Sequence, residues 1–247
     1  MTDSPFYETP TFATIEQLKT GKIEQVDHYQ LTWNNFLLLT RYQDNQTFVL
    51  LNNGFRLVIN RSIKQVLRDF SHTNHCYARC NIPYYEMFGE RNPIKSYVAG
   101  RNRLVSSMGT NNAEVVYYMA KPMKMHYYSA QQQGMVLMFE TSKFAINVMV
   151  PAYANKFQKI LAQADEISHM HLLELREKLL RYGMEEECNC LVNEYFLHSE
   201  LTKKAYEIKR HVYGYVLNTL YESLYGERMG DQEMRRTLDI LFDTWKR

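Results

Sequence analysis

The chain has 247 residues, 45% of them hydrophobic, and a formal net charge of only +2. That composition supplies a core for one large or two small domains and excludes a disordered chain. No window approaches the length of a membrane span, MTDSPFYETP lacks the basic and apolar regions of a signal peptide, and four cysteines without a leader point to a reducing, cytoplasmic compartment.

Residues 1–26 read as irregular, with Pro5 and Pro10 and one or two helical turns over Thr14 to Lys19. From Tyr29 the pattern turns to strands. Tyr29 to Trp33 and Phe36 to Arg41, joined by Asn34-Asn35, predict a hairpin. Thr47 to Leu51 and Phe55 to Asn60, joined by Asn52-Asn53-Gly54, predict a second, with the strongest local hairpin signal in the chain. Ser62 then caps a predicted helix. Ile63, Val66, Leu67 and Phe70 share one face, and Lys64, Gln65, Arg68 and Asp69 take the other.

Over 71–92, His72, His75, Cys76 and Cys80 lie close together, with Cys188 and Cys190 far downstream. A zinc site would need both segments, and C-x3-C with C-x-C is not a common zinc spacing. Cysteines facing a core explain the pattern as well, and no metal or other cofactor is expected. Pro83 to Gly89 reads as a loop with buried aromatics. Three β-type runs follow: Glu114 to Ala120, Gly134 to Glu140 and Phe144 to Val150, the last two joined by Thr141-Ser142-Lys143.

Pro151 ends the sheet, and helical spacing takes over. One stripe holds Tyr153, Phe157, Ile160 and Leu161, and a second segment runs from Ile167 to Gly183. Glu185-Glu186-Glu187 opens another helix. Leu201 to Tyr225 is long and amphipathic, stopped by Gly226, and Asp231 starts the last helix, with Trp245 near its end. The fold class is therefore α+β. A mainly antiparallel β unit with one inserted helix spans 27–165, and an all-α region of about four helices spans 166–247.

No P-loop, G-x-G-x-x-G, G-x-S-x-G or H-E-x-x-H is present, and His169 and His171 fall on different sides of their helix. No enzyme is expected. The charge, by contrast, is unevenly placed. Residues 54–126 carry eleven Lys/Arg against four Asp/Glu, and Arg outnumbers Lys there. A planar guanidinium suits phosphate and base edges, so a polyanion is the natural partner. The candidate contacts are Arg61, Lys64 and Arg68 around one helix, Arg101 and Arg103 two apart in an extended segment, and Lys121 and Lys124 after a strand. Asn111 and Asn112 either touch bases or simply make a turn, and the turn is the first expectation.

The order and spacing of these segments resemble the ComK family, the competence transcription factors of low-GC Gram-positive bacteria. Tyr29-Gln-Leu-Thr-Trp-Asn-Asn-Phe-Leu-Leu-Leu is similar to the family's first hairpin, and Phe55-Arg-Leu-Val-Ile-Asn-Arg-Ser62 to the strand leading into its central helix. Pro93-Ile94, Leu104 to Asn112 and Tyr117-Tyr118 stand where the family has its K-x-P-I, FPT-x-S and W-I steps. Gly134 to Ala164 is similar to its closing strand–strand–helix. The resemblance covers Tyr29 to Ala164. Ile63 stands where the family has Cys, no Gly-Ser-Ser follows, Ser106-Ser107-Met108 replaces the Pro-Thr step, and the helical tail is longer. The resemblance implies an activator that binds double-stranded, AT-rich DNA as a homo-oligomer, largely through the minor groove. A rival reading from another class is a protein–protein adaptor whose helical tail binds a regulatory partner.

Overall fold

The computed structural model describes residues 12–90, 93–94, 96–182 and 200–243. They divide into two units. One takes the described residues up to Ala78 together with Ile94–Asp165. The other takes Arg79–Pro93 and the described residues from Glu166 onward.

The first unit holds every strand found among the described residues. Its larger sheet contains β2 (Glu24–Val26), β3 (Phe36–Arg41), β4 (Thr47–Leu51), β5 (Arg56–Ile59), β6 (Tyr97–Ala99), β7 (Asn102–Ser106) and β8 (Val116–Met119), in the order β2-β5-β4-β3-β8-β7-β6. Within this sheet β2 and β5 pair in parallel and the other neighbours antiparallel. The smaller sheet has the order β1-β11-β10-β9, from β1 (Ala13–Thr14), β9 (Met123–Ser129), β10 (Gly134–Glu140) and β11 (Ala145–Pro151). In it β1 and β11 form a second parallel pair. A short helix, α1 (Ile15–Leu18), follows β1.

Helix α2 (Ile63–Thr73) forms where the cap chemistry predicts. The Ser62 side chain accepts from the Gln65 N–H, and the Gln65 side chain accepts from the Ser62 N–H, a reciprocal capping box. Its Ile63, Val66, Leu67 and Phe70 pack on Leu39, Val49, Leu57, Leu104, Tyr117 and Met119 of the larger sheet. Phe70 is the hub. The rings of Trp33, Phe36 and Tyr97 meet it edge-on at 4.8, 5.7 and 6.0 Å. Alternation sends Leu38, Phe48, Leu50, Val58, Val105 and Tyr118 to the opposite face, where they too are buried. Helix α4 (Ala154–Arg181) begins on that face: Phe157 stacks on Tyr118 at 5.3 Å and meets His126 of β9 at 5.5 Å.

The second hairpin, the capped helix and the β10–β11 pair stand as expected. The first hairpin does not. Tyr29 to Trp33 is irregular, because both edges of β3 are taken, by β4 and β8. Asparagine side chains satisfy its backbone instead. Thr32 N–H donates to Asn35 Oδ1 at 2.8 Å, Trp33 N–H donates to Asn74 Oδ1 at 3.2 Å, and Asn74 Nδ2 donates to the Leu31 carbonyl at 3.0 Å. Further elements differ from expectation: β1 and β2 fall in the 1–26 stretch read as irregular, and β6 and β7 pair as a hairpin where only an extended segment was expected. Pro83 to Gly89 is not a loop. After a 3-10 turn over Ala78–Asn81 it forms α3 (Ile82–Met87), with Pro83 in the first turn, where its missing N–H costs nothing. The Met123–Ser129 strand, β9, lies where no strand was expected.

In the second unit, the two predicted stripes after Pro151 belong to one continuous α4, whose residues from Glu166 onward lie here. They join α3, α5 (Glu200–Tyr225) and α6 (Asp231–Asp243). The Tyr84 hydroxyl of α3 donates to Glu174 at 2.9 Å, and its ring meets His171 at 4.8 Å. Lys209 pairs with Glu177, and Arg210 with Asp239. Tyr206 and Tyr213 flank Phe242 at 5.3 and 5.6 Å. The expected helix at Glu185-Glu186-Glu187, Cys188 and Cys190, and Trp245 lie outside the described residues.

Candidate nucleic-acid interface

Of the nine cations in 54–126 that lie among the described residues, eight belong to the first unit, with two of the four carboxylates. The sheet register sorts the candidate residues by position. Thr47 pairs with both Ile59 and Arg41, and Thr40 pairs with Val116. Arg61 and Lys64, which follow β5, therefore leave the sheet at the same end as the loop before β8 that carries Asn111 and Asn112. Three strand spacings lie between them, about 14 Å. Asn102 pairs with Ala99, and Leu104 with Met119. Arg101 and Lys121 are accordingly at the other end. The paired length of β8, about 10 Å, separates the two groups.

Lys64 and Arg68 are exposed on the outer face of α2. Four residues apart, they share a side of the helix, spaced by about 6 Å along its axis. Neither has a carboxylate partner among the described residues. His72 continues the same stripe, exposed, with Nδ1 3.1 Å from the Tyr77 hydroxyl. Arg61 is different: its Nη1 lies 2.7 Å from Asp69 Oδ2, an opposite charge that offsets its own.

Arg101 and Arg103 do not point the same way. Arg101 sits in the two-residue Gly100-Arg101 turn of the β6–β7 hairpin, with Gly100 at φ 57, so strand alternation does not relate it to Arg103. Leu104 faces α2, so Arg103 projects to the opposite face, where it pairs with Asp165 of α4 at 2.5 Å. Tyr118 lies beside this pair. Burial holds its hydroxyl pKa well above the ordinary range, Asp165 pushes it further up, and Arg103 pulls it down.

Asn112 makes the turn. Its Oδ1 accepts from the Glu114 N–H at 2.9 Å, and its N–H donates to the Gly109 carbonyl at 3.0 Å. Asn111 is exposed at the tip beside it. Lys121 and Lys124 are exposed. Lys124 falls at the β-bulge of the edge strand β9, where Met138 pairs with Met125 but Phe139 with Met123.

One cation escaped the sequence reading. The Lys156 ammonium of α4 lies 3.8 Å from where a Cβ on Gly109 would stand, which places it beside the Asn111 loop. The two are 47 positions apart, and no local pattern connects them. His72 had a signal, at four positions after Arg68 on an already amphipathic helix, but a count of Lys and Arg passes over it.

Among the described residues no group of three or more His, Cys, Asp or Glu could hold a metal ion. Cys76 is buried with its thiol toward the Val98 carbonyl at 3.4 Å, and Cys80 is exposed. No helix among the described residues is long and apolar enough to cross a membrane. No family model, curated protein or solved structure matches the chain.

Proposed function

We propose that the first unit binds double-stranded DNA and that the chain is a transcription activator of the ComK type, acting as an oligomer on AT-rich sites. The observation that carries this reading is the outer face of α2. Lys64 and Arg68 stand there without carboxylate partners among the described residues, on a helix whose inner face is locked into the core by Phe70. A rigid element holds its charges in register with a repeating polyanion at little entropic cost.

Groove dimensions divide the work. An α-helix with its side chains is about 10–12 Å across, and the minor groove about 6 Å wide, so α2 cannot enter it. Its cations meet phosphates from outside. A minor-groove reader must be narrow, and the Gly100-Arg101 turn is a two-residue hairpin tip bearing an arginine, the side chain that narrow A-tracts attract. The Asn111 tip, with Lys156 beside it, is a second narrow element at the other end of the sheet.

Fluorescence anisotropy with AT-rich and GC-rich duplexes at two salt concentrations tests the reading. Lys64→Ala and Lys121→Ala weaken both duplexes alike and lower the salt slope by about one each. Arg101→Ala also erodes the preference for the AT-rich duplex. A parent chain that binds neither duplex, or binds without salt dependence, would falsify the reading.

The adaptor alternative has its own observation. Tyr213, Val216, Leu220 and Leu224 of α5 are 48%, 46%, 55% and 75% exposed on one side of the helix. Such a stripe suits a protein partner or a second copy, and its binding would respond little to salt.

A further inference from the structure

A second site lies in the helical unit, apart from any residue assigned to DNA. Helices α3, α5 and α6 line an open cleft of about 570 Å³, within the roughly 300–1,000 Å³ of small-molecule sites. We propose that this cavity binds a small organic ammonium ion with an apolar body. The proposal goes beyond the DNA reading and does not depend on it.

The shape comes from one missing side chain. Gly214 sits in the middle of α5, a position where glycine costs a helix about 1 kcal/mol relative to alanine. A Cβ there would meet Leu238 at 3.5 Å and Met234 at 3.8 Å, ordinary contact distances, so close helix packing does not demand the glycine. Its absence of side chain leaves a depression. Leu238, Met234 and the Tyr215 ring line the apolar part of it.

The charge comes from the rest of the lining. Three carboxylates line the cavity: Glu86 of α3, and Glu207 and Glu222 of α5. The cations that line it are already engaged. Arg210 pairs with Asp239, which lies outside the lining, and Arg228 is 3.5 Å from Glu222. Glu86 has only the His211 imidazole, at 3.9 Å, and Glu207 has no cation partner among the described residues. Among the described residues the cavity therefore holds two carboxylates, Glu86 and Glu207, with no lysine or arginine paired to either, beside an apolar floor. An ammonium group satisfies the first and a hydrocarbon or aromatic body the second. An anion would meet Glu86 and Glu207 unshielded, and a hydrated metal ion would make no use of Met234, Leu238 or Tyr215.

Isothermal titration of the full chain with phenethylammonium tests the proposal, with 2-phenylethanol and phenylacetate as neutral and anionic counterparts of similar size. Saturable binding of the amine, at least tenfold tighter than either counterpart, is expected. Glu86→Gln and Glu207→Gln should each weaken the amine several-fold and leave the alcohol unchanged. Circular dichroism of both variants shows whether the helices persist, and surface glutamates replaced by glutamine keep helix propensity. The proposal is overturned if the amine does not saturate, if the alcohol or the carboxylate binds as tightly, or if folded variants bind the amine like the parent.

Discussion

Gly54 is legible in the sequence for one reason and required by the structure for two. Asn52-Asn53-Gly54 announces a turn, and Gly54 indeed has φ 86. The second reason is remote. A Cβ at Gly54 would lie 2.7 Å from the Phe144 ring, which arrives from the β10–β11 link. Gly54→Ala should therefore cost about 2–4 kcal/mol, the left-handed backbone and the overpacking each adding about 1–2. Urea unfolding measures it, and Phe144→Ala in the same chain should recover part of the loss. A cost below the backbone contribution alone would mean that the ring moves aside freely. Arg103 shows the opposite limit of reading residues singly. Its sequence neighbourhood is basic, yet Asp165, 62 positions on, neutralises it. Arg103→Ala should leave duplex affinity close to that of the parent while lowering stability by no more than about 1 kcal/mol, the scale of a partly exposed ion pair. A loss of affinity as large as that of Lys64→Ala would put Arg103 back on the DNA-binding surface.

At the scale of elements, what could be read depended on whether the determinants are local. Helix α2 carries its whole specification within eleven residues and a cap, and its bounds follow. Ser62→Ala should cost about 1 kcal/mol in the unfolding of the first unit, since it removes the acceptor for Gln65 N–H. It should also loosen the Lys64 turn and weaken duplex binding slightly; unchanged stability would mean that the cap is dispensable. Strand β9 was missed because MKMHYYS does not alternate: the bulge at Lys124 shifts the register and an exposed edge imposes no apolar period. Helix α3 is six residues, too short for periodicity, and its proline resembles a breaker unless its place in the first turn is known. Tyr29 to Trp33 failed for another reason. Its composition suits a strand, but β4 and β8 had already taken the edges it would need.

Across the whole molecule, the basic bias of 54–126 was legible, whereas its distribution over two ends and two faces of a sheet was not, because that depends on strand order. Nor does the sequence tell that Arg79–Pro93 packs with helices more than 80 residues downstream, through Tyr84, His171 and Glu174. This contact gives the helical unit a pH signature of its own. Burial lowers the His171 pKa from 6.5 to about 4. The unfolded chain therefore takes up a proton between those values that the folded one refuses, and the stability present above 6.5 is lost as pH falls through that window, by roughly 3 kcal/mol. Glu174, one turn on, acts in the other direction. Burial raises its pKa, against the Tyr84 hydrogen bond and the nearby Lys178 and Lys209, while Glu177 adds to the rise. Its contribution is complete below the ordinary carboxylate pKa and fades as pH rises through the raised value, so acidification favours the folded state at this residue. The two can be separated by urea unfolding near pH 7 and pH 5. The parent should be less stable at the lower pH, His171→Gln should lose less on acidification, and Glu174→Gln should lose more. If His171→Gln retained the full acid loss, the imidazole would not be the group that the helical unit must keep neutral in order to fold.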